Sequence, residues 1–336
     1  MKFYKIIFIT MLISSTMISI SSNSWLSTWM GLEMNLFSFI PLMKESMNKM
    51  STESCMKYFI TQAFASSLFL FSILMIMIIN NFNFDIIYTN YFNIMMINSS
   101  LLLKMGAAPF HFWFPEIIEG MNWINCMILL TWQKIAPMML ISYTIKFISF
   151  LIFVIMSCTL IGSIMGLNQT SMRKIMVYSS INHMGWMLAS FLNNEMIWII
   201  YFMIYSIILF SFILFLNNFK IYYLKQIYLM LNKFPMLKMI LMLNLFSLGG
   251  LPPFLGFFPK WMIIQYLSQN YSFLIFMMIM MTMITLFYYI RIMYSSIMIL
   301  NNIVINYNIK NNNFMMISSF ISLMGLIIFT INFNNF

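Results

Sequence analysis

Long apolar runs separated by short polar breaks dominate the chain, and within each run the apolar positions are continuous rather than alternating. Each run is near or above the ~20 residues that a helix needs to cross a bilayer. Strands of a membrane barrel would instead alternate apolar and polar positions. We therefore predict an all-α polytopic membrane protein with about eleven transmembrane helices, at residues 3–22, 24–43, 57–80, 93–113, 123–143, 146–167, 174–192, 195–217, 236–268, 271–298 and 313–333.

Two of these runs contain glycine and proline within a few residues of each other. Residues 106–109 interrupt the fourth run with Gly-Ala-Ala-Pro, and residues 249–253 interrupt the ninth with Gly-Gly-Leu-Pro-Pro. Proline lacks a backbone donor and clashes with the preceding helical turn, so we predict that both helices are broken in the middle. A break frees carbonyls and amides that can hold water or coordinate a charge.

The composition agrees with lipid as the main solvent of the chain. Of its 336 residues, 62% are hydrophobic and only 7% are charged, whereas roughly a quarter of the residues of a soluble protein are charged. The longest loops are too short to fold alone, so we predict a single transmembrane domain over residues 1–336. No phosphate loop, dinucleotide fingerprint or C-x-x-C pair occurs, which leaves nucleotide, iron–sulfur and zinc sites without support.

The basic residues predict the orientation of the chain. Nucleic-acid binding is excluded despite the net charge of +10, because no exposed aromatic platform accompanies the bases. With eleven spans, twelve basic residues fall on the side of the N-terminus and only Lys146 falls on the other side. Positive loops stay in the compartment of synthesis, so the N-terminus is predicted to face it. The twelve are Lys2, Lys5, Lys44, Lys49, Lys57, Arg173, Lys174, Lys220, Lys225, Lys233, Lys238 and Lys310.

Four charged residues lie deep inside the apolar runs: Glu33, Lys104, Lys134 and Lys260. An ionisable group at the bilayer centre costs at least ~2.5–3.5 kcal/mol on insertion scales, so each needs a reason. Burial disfavours the charged form of a lysine while a nearby carboxylate favours it, which suits a switchable proton site. We interpret the four as a proton-translocating path in which Lys104 is the candidate partner of Glu33.

Each of the four also has a structural alternative. Lys134 is ~14 Å from either end of its span at ~1.5 Å per residue, too deep to reach water, but it could pair with the carbonyl that Pro137 frees. Lys104 could satisfy carbonyls at the first break, and Glu33 could be a neutral, hydrogen-bonded acid. Lys260 could extend to the interface in an aromatic belt beside Trp261.

Two histidines are candidate relays, because the unperturbed pKa of histidine lies near neutrality. His111 lies just beyond the first break, and His183 lies in the polar run Tyr-Ser-Ser-Ile-Asn-His at residues 178–183. Either could equally be a packing residue. Glu116 and Glu119 fall at a helix end, where solvated side chains are expected.

Four segments resemble the antiporter-like subunits of respiratory complex I, and the resemblance runs along essentially the whole chain. They are residues 29–35 (WMGLEMN), 104–116 (KMGAAPFHFWFPE), 178–185 (YSSINHMG) and 248–257 (LGGLPPFLGF). The resemblance implies an antiporter-like fold that lacks three N-terminal helices. It also implies that Glu33, Lys104, Lys134 and Lys260 are proton-translocation residues, each matching a charged residue of the family.

The resemblance further implies an indirect role in enzyme catalysis. The chain would be a subunit of a proton-translocating NADH:ubiquinone reductase, multi-pass in the mitochondrial inner membrane, with its N-terminus in the matrix and its C-terminus in the intermembrane space. Protons would be the transported species, with other membrane-arm subunits and lipids as partners. This chain would hold no cofactor, and NADH, FMN, iron–sulfur clusters and ubiquinone would bind other subunits. The alternatives are a subunit of a cation/proton antiporter complex and a purely structural membrane subunit.

Overall fold

The computed structural model describes residues 3–44, 48–79, 91–145, 147–230 and 235–298. These residues form fourteen α-helices and one isolated β-bridge, between Ser171 and Tyr223. The predicted eleventh span, 313–333, lies outside the described residues, as do Lys2, Lys146, Lys233 and Lys310.

The helices follow the predicted spans closely, with extra breaks and two short additions. In chain order they are α1 Phe3–Ser21, α2 Trp25–Met43, α3 Lys49–Ile79, α4 Tyr91–Met105, α5 Trp113–Glu119, α6 Trp123–Leu130, α7 Trp132–Ser142, α8 Ile148–Ile164, α9 Met172–Ser190, α10 Glu195–Phe219, α11 Leu224–Met230, α12 Pro235–Gly249, α13 Phe257–Leu267 and α14 Ser272–Met298.

Several of these helices are long and apolar enough to cross a membrane. Within the described ranges, five segments meet this description by length and composition: Phe3–Ser21, Lys49–Ile79, Trp123–Ser142, Glu195–Phe219 and Ser272–Ser296. The chain therefore has the nearly all-helical, apolar architecture predicted from its sequence.

Helix α3 begins eight residues earlier than the predicted span, which starts at residue 57. The Asn48 side chain accepts a hydrogen bond from the Met50 backbone N–H at 3.2 Å, and this interaction caps the helix. The predicted boundary was wrong because the polar residues 49–56 were assigned to a loop, although a helix can continue past the apolar core of a bilayer.

Hydroxyl side chains within the helices bond to their own backbone. Ser15, Ser66 and Ser180, for example, donate to the carbonyl three residues earlier at 2.8–2.9 Å. A hydroxyl without a partner would be costly in an apolar environment. These local bonds explain how serine and threonine are accommodated in spans that must face lipid or one another.

The chain divides into two compact units, Met1–Val154 and Ile155–Phe336. In the first unit α2 packs against α1 and α3, and α4 packs against α3 and α7. A Cβ at Gly31 of α2 would lie 2.8 Å from the Ser19 backbone nitrogen of α1. This close approach of two backbones is typical of small-residue packing between membrane helices.

The second unit is built around α9, whose residues Ile175–Ser190 are all buried. Helices α10, α13 and α14 each pack against it, and α12 packs against α10 and α14. The polar residues of α9 are therefore held inside the unit, where each requires a hydrogen-bond partner or a functional reason.

Candidate functional site

The first predicted break is present, and it is a regular helix-terminating turn. Helix α4 ends at Met105, and Gly106 adopts a left-handed conformation with φ 72°. The Gly106 N–H donates to Leu103 and the Ala107 N–H to Leu102, at 3.1 and 3.0 Å. This pattern is a Schellman motif, which favours glycine because a Cβ is strained at positive φ.

Two carbonyls near the end of α4, those of Leu103 and Lys104, also accept hydrogen bonds from neutral side chains. Trp113 Nε1 donates to the Leu103 carbonyl at 3.1 Å, and Gln62 Nε2 of α3 donates to the Lys104 carbonyl at 3.2 Å. A helix end without such donors would leave buried acceptors unsatisfied. The Lys104 ammonium is thus not needed to cap its own helix.

Lys104 and Lys134 share one cavity. Lys104 is 7% exposed and Lys134 is 1% exposed. Both line a cavity together with Tyr58, Gln133 and a mostly apolar remainder, Met105, Trp113 and Leu129. The structure therefore brings together two of the predicted residues, from the first break and from the middle of the next span.

Each ammonium also lies beside an aromatic ring. Lys104 Nζ is 5.9 Å from the centre of the Phe69 ring, and Lys134 Nζ is 5.8 Å from that of Phe114. Both distances are at the outer limit of a cation–π contact. The rings stabilise positive charge weakly without providing a base, so proton transfer from either lysine requires another acceptor.

The span that carries Lys134 is interrupted just before it, a feature that the sequence analysis missed. Thr131 separates α6 from α7 with φ −117° and ψ −73°. Its hydroxyl donates to the Met127 carbonyl at 2.7 Å, and the Lys134 N–H bonds to the Thr131 carbonyl at 3.1 Å. The cavity is lined by residues on both sides of the interruption: Leu129, Gln133 and Lys134. The only signals for this interruption in the sequence were Thr131, whose hydroxyl can bond to the carbonyl four residues earlier, and Pro137 in the helix that follows.

A second cavity adjoins the first and is lined by amides. Its lining includes Asn35, Tyr58, Gln62, Lys104 and Gln133. Gln133 Nε2 donates to Asn35 Oδ1 at 3.0 Å, which links α7 to α2. Polar linings of this kind can order water. Sequence reasoning selected charged residues only and missed these amides, although each lies within an apolar run.

Glu33 is placed differently from the lysines. It is half-buried, on the side of α2 that also carries the exposed residues Met30, Met34 and Phe37. Glu33 lies near the middle of the apolar helix α2, and α2 presents that side away from the rest of the first unit. Its role in proton translocation stays a prediction. The carboxylate is still close enough to Lys104 for an electrostatic interaction, which gives the predicted pairing a physical basis.

The second predicted break has the same backbone turn but a different side-chain arrangement. Gly250 has φ 81°, and its N–H bonds to Phe246 and Ser247 at 3.0 and 3.2 Å. Lys260, at the start of α13, is 6% exposed and donates from Nζ to the Gly249 carbonyl at 2.7 Å. The lysine therefore caps α12, and it does not extend to the interface as the alternative beside Trp261 required.

His183 lies in the second unit, near this break. Its Nδ1 is 2.8 Å from the Tyr201 hydroxyl, and it lines a cavity with Tyr201, Tyr205, Ser247 and Pro259. The histidine thus combines a hydrogen-bond partner with access to a cavity, as a relay would need. Tyr201 is a further polar residue that the sequence analysis did not select.

His111 and the two glutamates of α5 have local roles. His111 Nδ1 donates to the Pro109 carbonyl at 3.2 Å and is absent from the lining of both lysine cavities. Glu116 is exposed and accepts a hydrogen bond from Lys57 at 2.9 Å, while Glu119 is half-buried. The geometry of His111 favours packing at the break over proton relay.

Comparisons with known proteins agree with this fold. Residues 22–286 match the family model described as NADH:quinone oxidoreductase/Mrp antiporter, TM. The chain is 52% identical over 331 residues to NADH-ubiquinone oxidoreductase chain 2 of Anopheles gambiae, covering 96% of this chain and 95% of the relative.

Two solved structures share the fold at low sequence identity. A chain of respiratory complex I from Thermus thermophilus with bound aureothin superposes with a TM-score of 0.86 at 18% identity, covering 97% of this chain and 78% of that one. A chain of the Mrp complex from Dietzia sp. DQ12-45-1b gives 0.75 at 13% identity, over 86% of this chain and 59% of that one.

The fold, the two broken helices and the family match define an antiporter-like membrane protein. The chain belongs to the NADH:quinone oxidoreductase/Mrp antiporter transmembrane family. Its high identity over nearly full length groups it, within that family, with the relatives named NADH-ubiquinone oxidoreductase chain 2.

Proposed function

We propose that this chain is a membrane-arm subunit of respiratory complex I that translocates protons through Lys104 and Lys134. Its relatives named NADH-ubiquinone oxidoreductase chain 2 are 48–54% identical to it over most of their length. The observation that carries the proton path is the cavity lined by both lysines beside a broken helix.

In the proposed mechanism a proton passes from one buried lysine to the next. Glu33 favours the charged form of Lys104, because opposite charges stabilise each other in a medium of low dielectric constant. When the influence of the carboxylate weakens, Lys104 releases its proton through water to Lys134. By the family resemblance, Lys260 is the proposed far end of the path, and His183 is a candidate relay.

The free energy for this movement comes from chemistry on other chains. NADH, FMN, iron–sulfur clusters and ubiquinone bind other subunits. The free energy of their redox reactions is transmitted to this chain through linked charge rearrangements. Within the described ranges no group of three or more His, Cys, Asp and Glu residues could hold a metal ion. In this proposal the redox centres of the enzyme lie on those other subunits.

The proposed membrane is the mitochondrial inner membrane, with the N-terminus in the matrix. The twelve-to-one distribution of basic residues supports this orientation. A single cysteine introduced at Lys49, which is exposed, would react with an impermeant thiol reagent from the matrix side only. Labelling from the intermembrane space would contradict the orientation.

Replacing Lys134 with methionine in the intact complex tests the proposed function. Methionine keeps the length and flexibility of the side chain but cannot carry a proton. We expect ubiquinone-linked turnover to fall at least tenfold, since positioned acid–base groups contribute roughly 10²–10⁴-fold, while NADH oxidation by an artificial acceptor stays unchanged. Full turnover with an undiminished proton/electron ratio would contradict the proposal.

A cation/proton antiporter subunit is the second candidate, and the likeness to the Mrp chain supports it. That likeness is weaker, and it covers 59% of the Mrp chain. Sodium-dependent transport by vesicles that contain the complex would favour this alternative. Transport that is unchanged when potassium replaces sodium would favour protons alone.

A further inference from the structure

Two side-chain amides connect the helix of Glu33 to the helix of Lys134. Asn35 of α2 is 4% exposed, and its Oδ1 accepts a hydrogen bond from Gln133 Nε2 of α7 at 3.0 Å. Gln133 immediately precedes Lys134, in the first turn of α7, which begins after Thr131. The orientation of one amide is therefore tied to the other across two helices.

The same glutamine belongs to both cavities. The cavity shared by Lys104 and Lys134 and the adjoining amide-lined cavity have Tyr58, Lys104 and Gln133 in common. Of these three side chains, Lys104 is itself a proposed proton carrier and Tyr58 is fully buried beside it. Gln133 and Tyr58 are both neutral groups with a donor and an acceptor, and Gln133 is the one that directly precedes Lys134 and bonds to Asn35 of α2.

Amides are suited to ordering water without competing for the proton. A glutamine side chain has two N–H donors and a carbonyl acceptor, and it does not titrate near neutral pH. With one donor of Gln133 bound to Asn35, its carbonyl and second N–H are fixed in direction. Water that enters either cavity then meets a defined donor and acceptor, which a freely rotating amide would not provide.

We propose that Gln133, held by Asn35, is a positioning residue that orders the water connecting Lys104 to Lys134. This inference rests on the proposed proton path and adds to it a group that orders the water between the two lysines. Gln133 itself gains and loses no proton. Its hydrogen bond to Asn35 also transmits movements of α2, the helix of Glu33, to the start of α7.

The test compares three variants of the intact complex in sealed vesicles. Gln133→Met preserves side-chain length and removes the hydrogen bonds, Asn35→Leu removes the partner, and a third chain carries both changes. We expect each single variant to lower coupled turnover about threefold or more, the scale of an interhelical hydrogen bond in a membrane. The double variant should be no slower than the worse single variant, because the two amides act as a unit.

A swapped pair distinguishes positioning from loss of fold. The chain with Asn35→Gln and Gln133→Asn keeps two amides of the same total length and should recover most of the turnover. Gln265→Met, at an exposed position of α13, is the matched control and should leave turnover unchanged. Native gels report whether each variant assembles.

The pH profile of coupled turnover supplies the readout that a merely structural role would not change. Gln133→Met should move the alkaline fall of turnover to lower pH, because slowed transfer becomes rate-limiting and turnover then follows the protonated fraction of the donor. Additive losses in the double variant, or an unchanged profile and proton/electron ratio in an assembled Gln133→Met complex, would overturn the inference. If Lys134→Met is also without effect, the proposed function fails; if Lys134→Met impairs pumping and Gln133→Met does not, only this inference fails.

Discussion

The two helix breaks are alike in backbone and different in how their lysines are used. Both end a helix in a Schellman motif with glycine at positive φ, at Gly106 and at Gly250. At the first break a neutral amide, Gln62, binds the carbonyl of Lys104, the next-to-last residue of its helix. At the second break the ammonium of Lys260 binds the carbonyl of Gly249, the last residue of α12.

A buried lysine beside a helix break can therefore have either of two roles. An ammonium that caps a helix is held by an acceptor 2.7 Å away, and losing its proton would weaken that bond. A lysine that does not cap a helix, such as Lys104, can face a cavity and exchange its proton. We therefore assign proton exchange to the first break and a combined structural and terminal role to the second.

The largest expected effect separates the two lysines directly. Lys104→Met should lower coupled turnover at least tenfold, with the scale set by acid–base groups, and leave assembly intact because Gln62 still binds the helix end. Lys260→Met should also lower the thermal stability of the complex, since an unsatisfied buried acceptor costs about 1–3 kcal/mol. Turnover and heat-inactivation curves of the two variants measure this. Lys49→Met, at an exposed position, is the control, and equal loss of stability in both variants would contradict the distinction.

A smaller effect is expected at Gln62, the residue that makes the first break different from the second. Gln62→Met removes the donor to the Lys104 carbonyl. The Lys104 ammonium should then turn back toward the end of α4 and cap it, in the way that Lys260 of α13 caps the end of α12. We expect coupled turnover to fall severalfold while the complex still assembles. Turnover equal to that of the unmodified chain would show that the amide is not what releases the lysine.

The two glycines give a matched pair with an intermediate effect on stability. Alanine at either position is strained by positive φ, at a cost on the order of 1–3 kcal/mol. At Gly250 the added Cβ would also lie 2.9 Å from Lys260 Nζ, whereas at Gly106 it meets Phe114 and Trp113 at 3.1 Å. Gly250→Ala should therefore displace the capping ammonium and inactivate at a lower temperature than Gly106→Ala. Identical inactivation curves would argue against a capping role.

The smallest effect is expected at Tyr201. Tyr201→Phe removes the hydroxyl 2.8 Å from His183 Nδ1 and keeps the ring. Removal of one hydrogen bond costs about 1 kcal/mol, so we expect coupled turnover to fall a few-fold and assembly to be normal. A tenfold loss would place His183 at the centre of the path rather than along it.

The sequence was sufficient for the helical class, most span limits and both breaks, because these depend on run length, proline and glycine. It also selected Lys104 and Lys134, since depth alone makes a charge unusual. It could not show the interruption at Thr131, which arises from one residue leaving helical geometry in a continuous apolar run.

Pairing across helices was the part that the sequence could not predict. The bonds of Asn35 with Gln133 and of Lys260 with Gly249 depend on which faces of separate helices meet. The outward position of Glu33 has the same origin, because the exposed side of α2 is set by packing and not by its own sequence. The predicted eleventh span lies outside the described residues and remains a prediction.

The decisive measurement for a proton path shared by Lys104 and Lys134 is the proton/electron ratio in sealed vesicles. It compares complexes with Lys104→Met, with Lys134→Met and with both substitutions. Because the two lysines line one cavity, we propose that they form successive steps of one path. We predict a lowered ratio or turnover in each single variant and no further loss in the double variant. An undiminished ratio at full turnover, or losses that multiply in the double variant, would contradict the shared path.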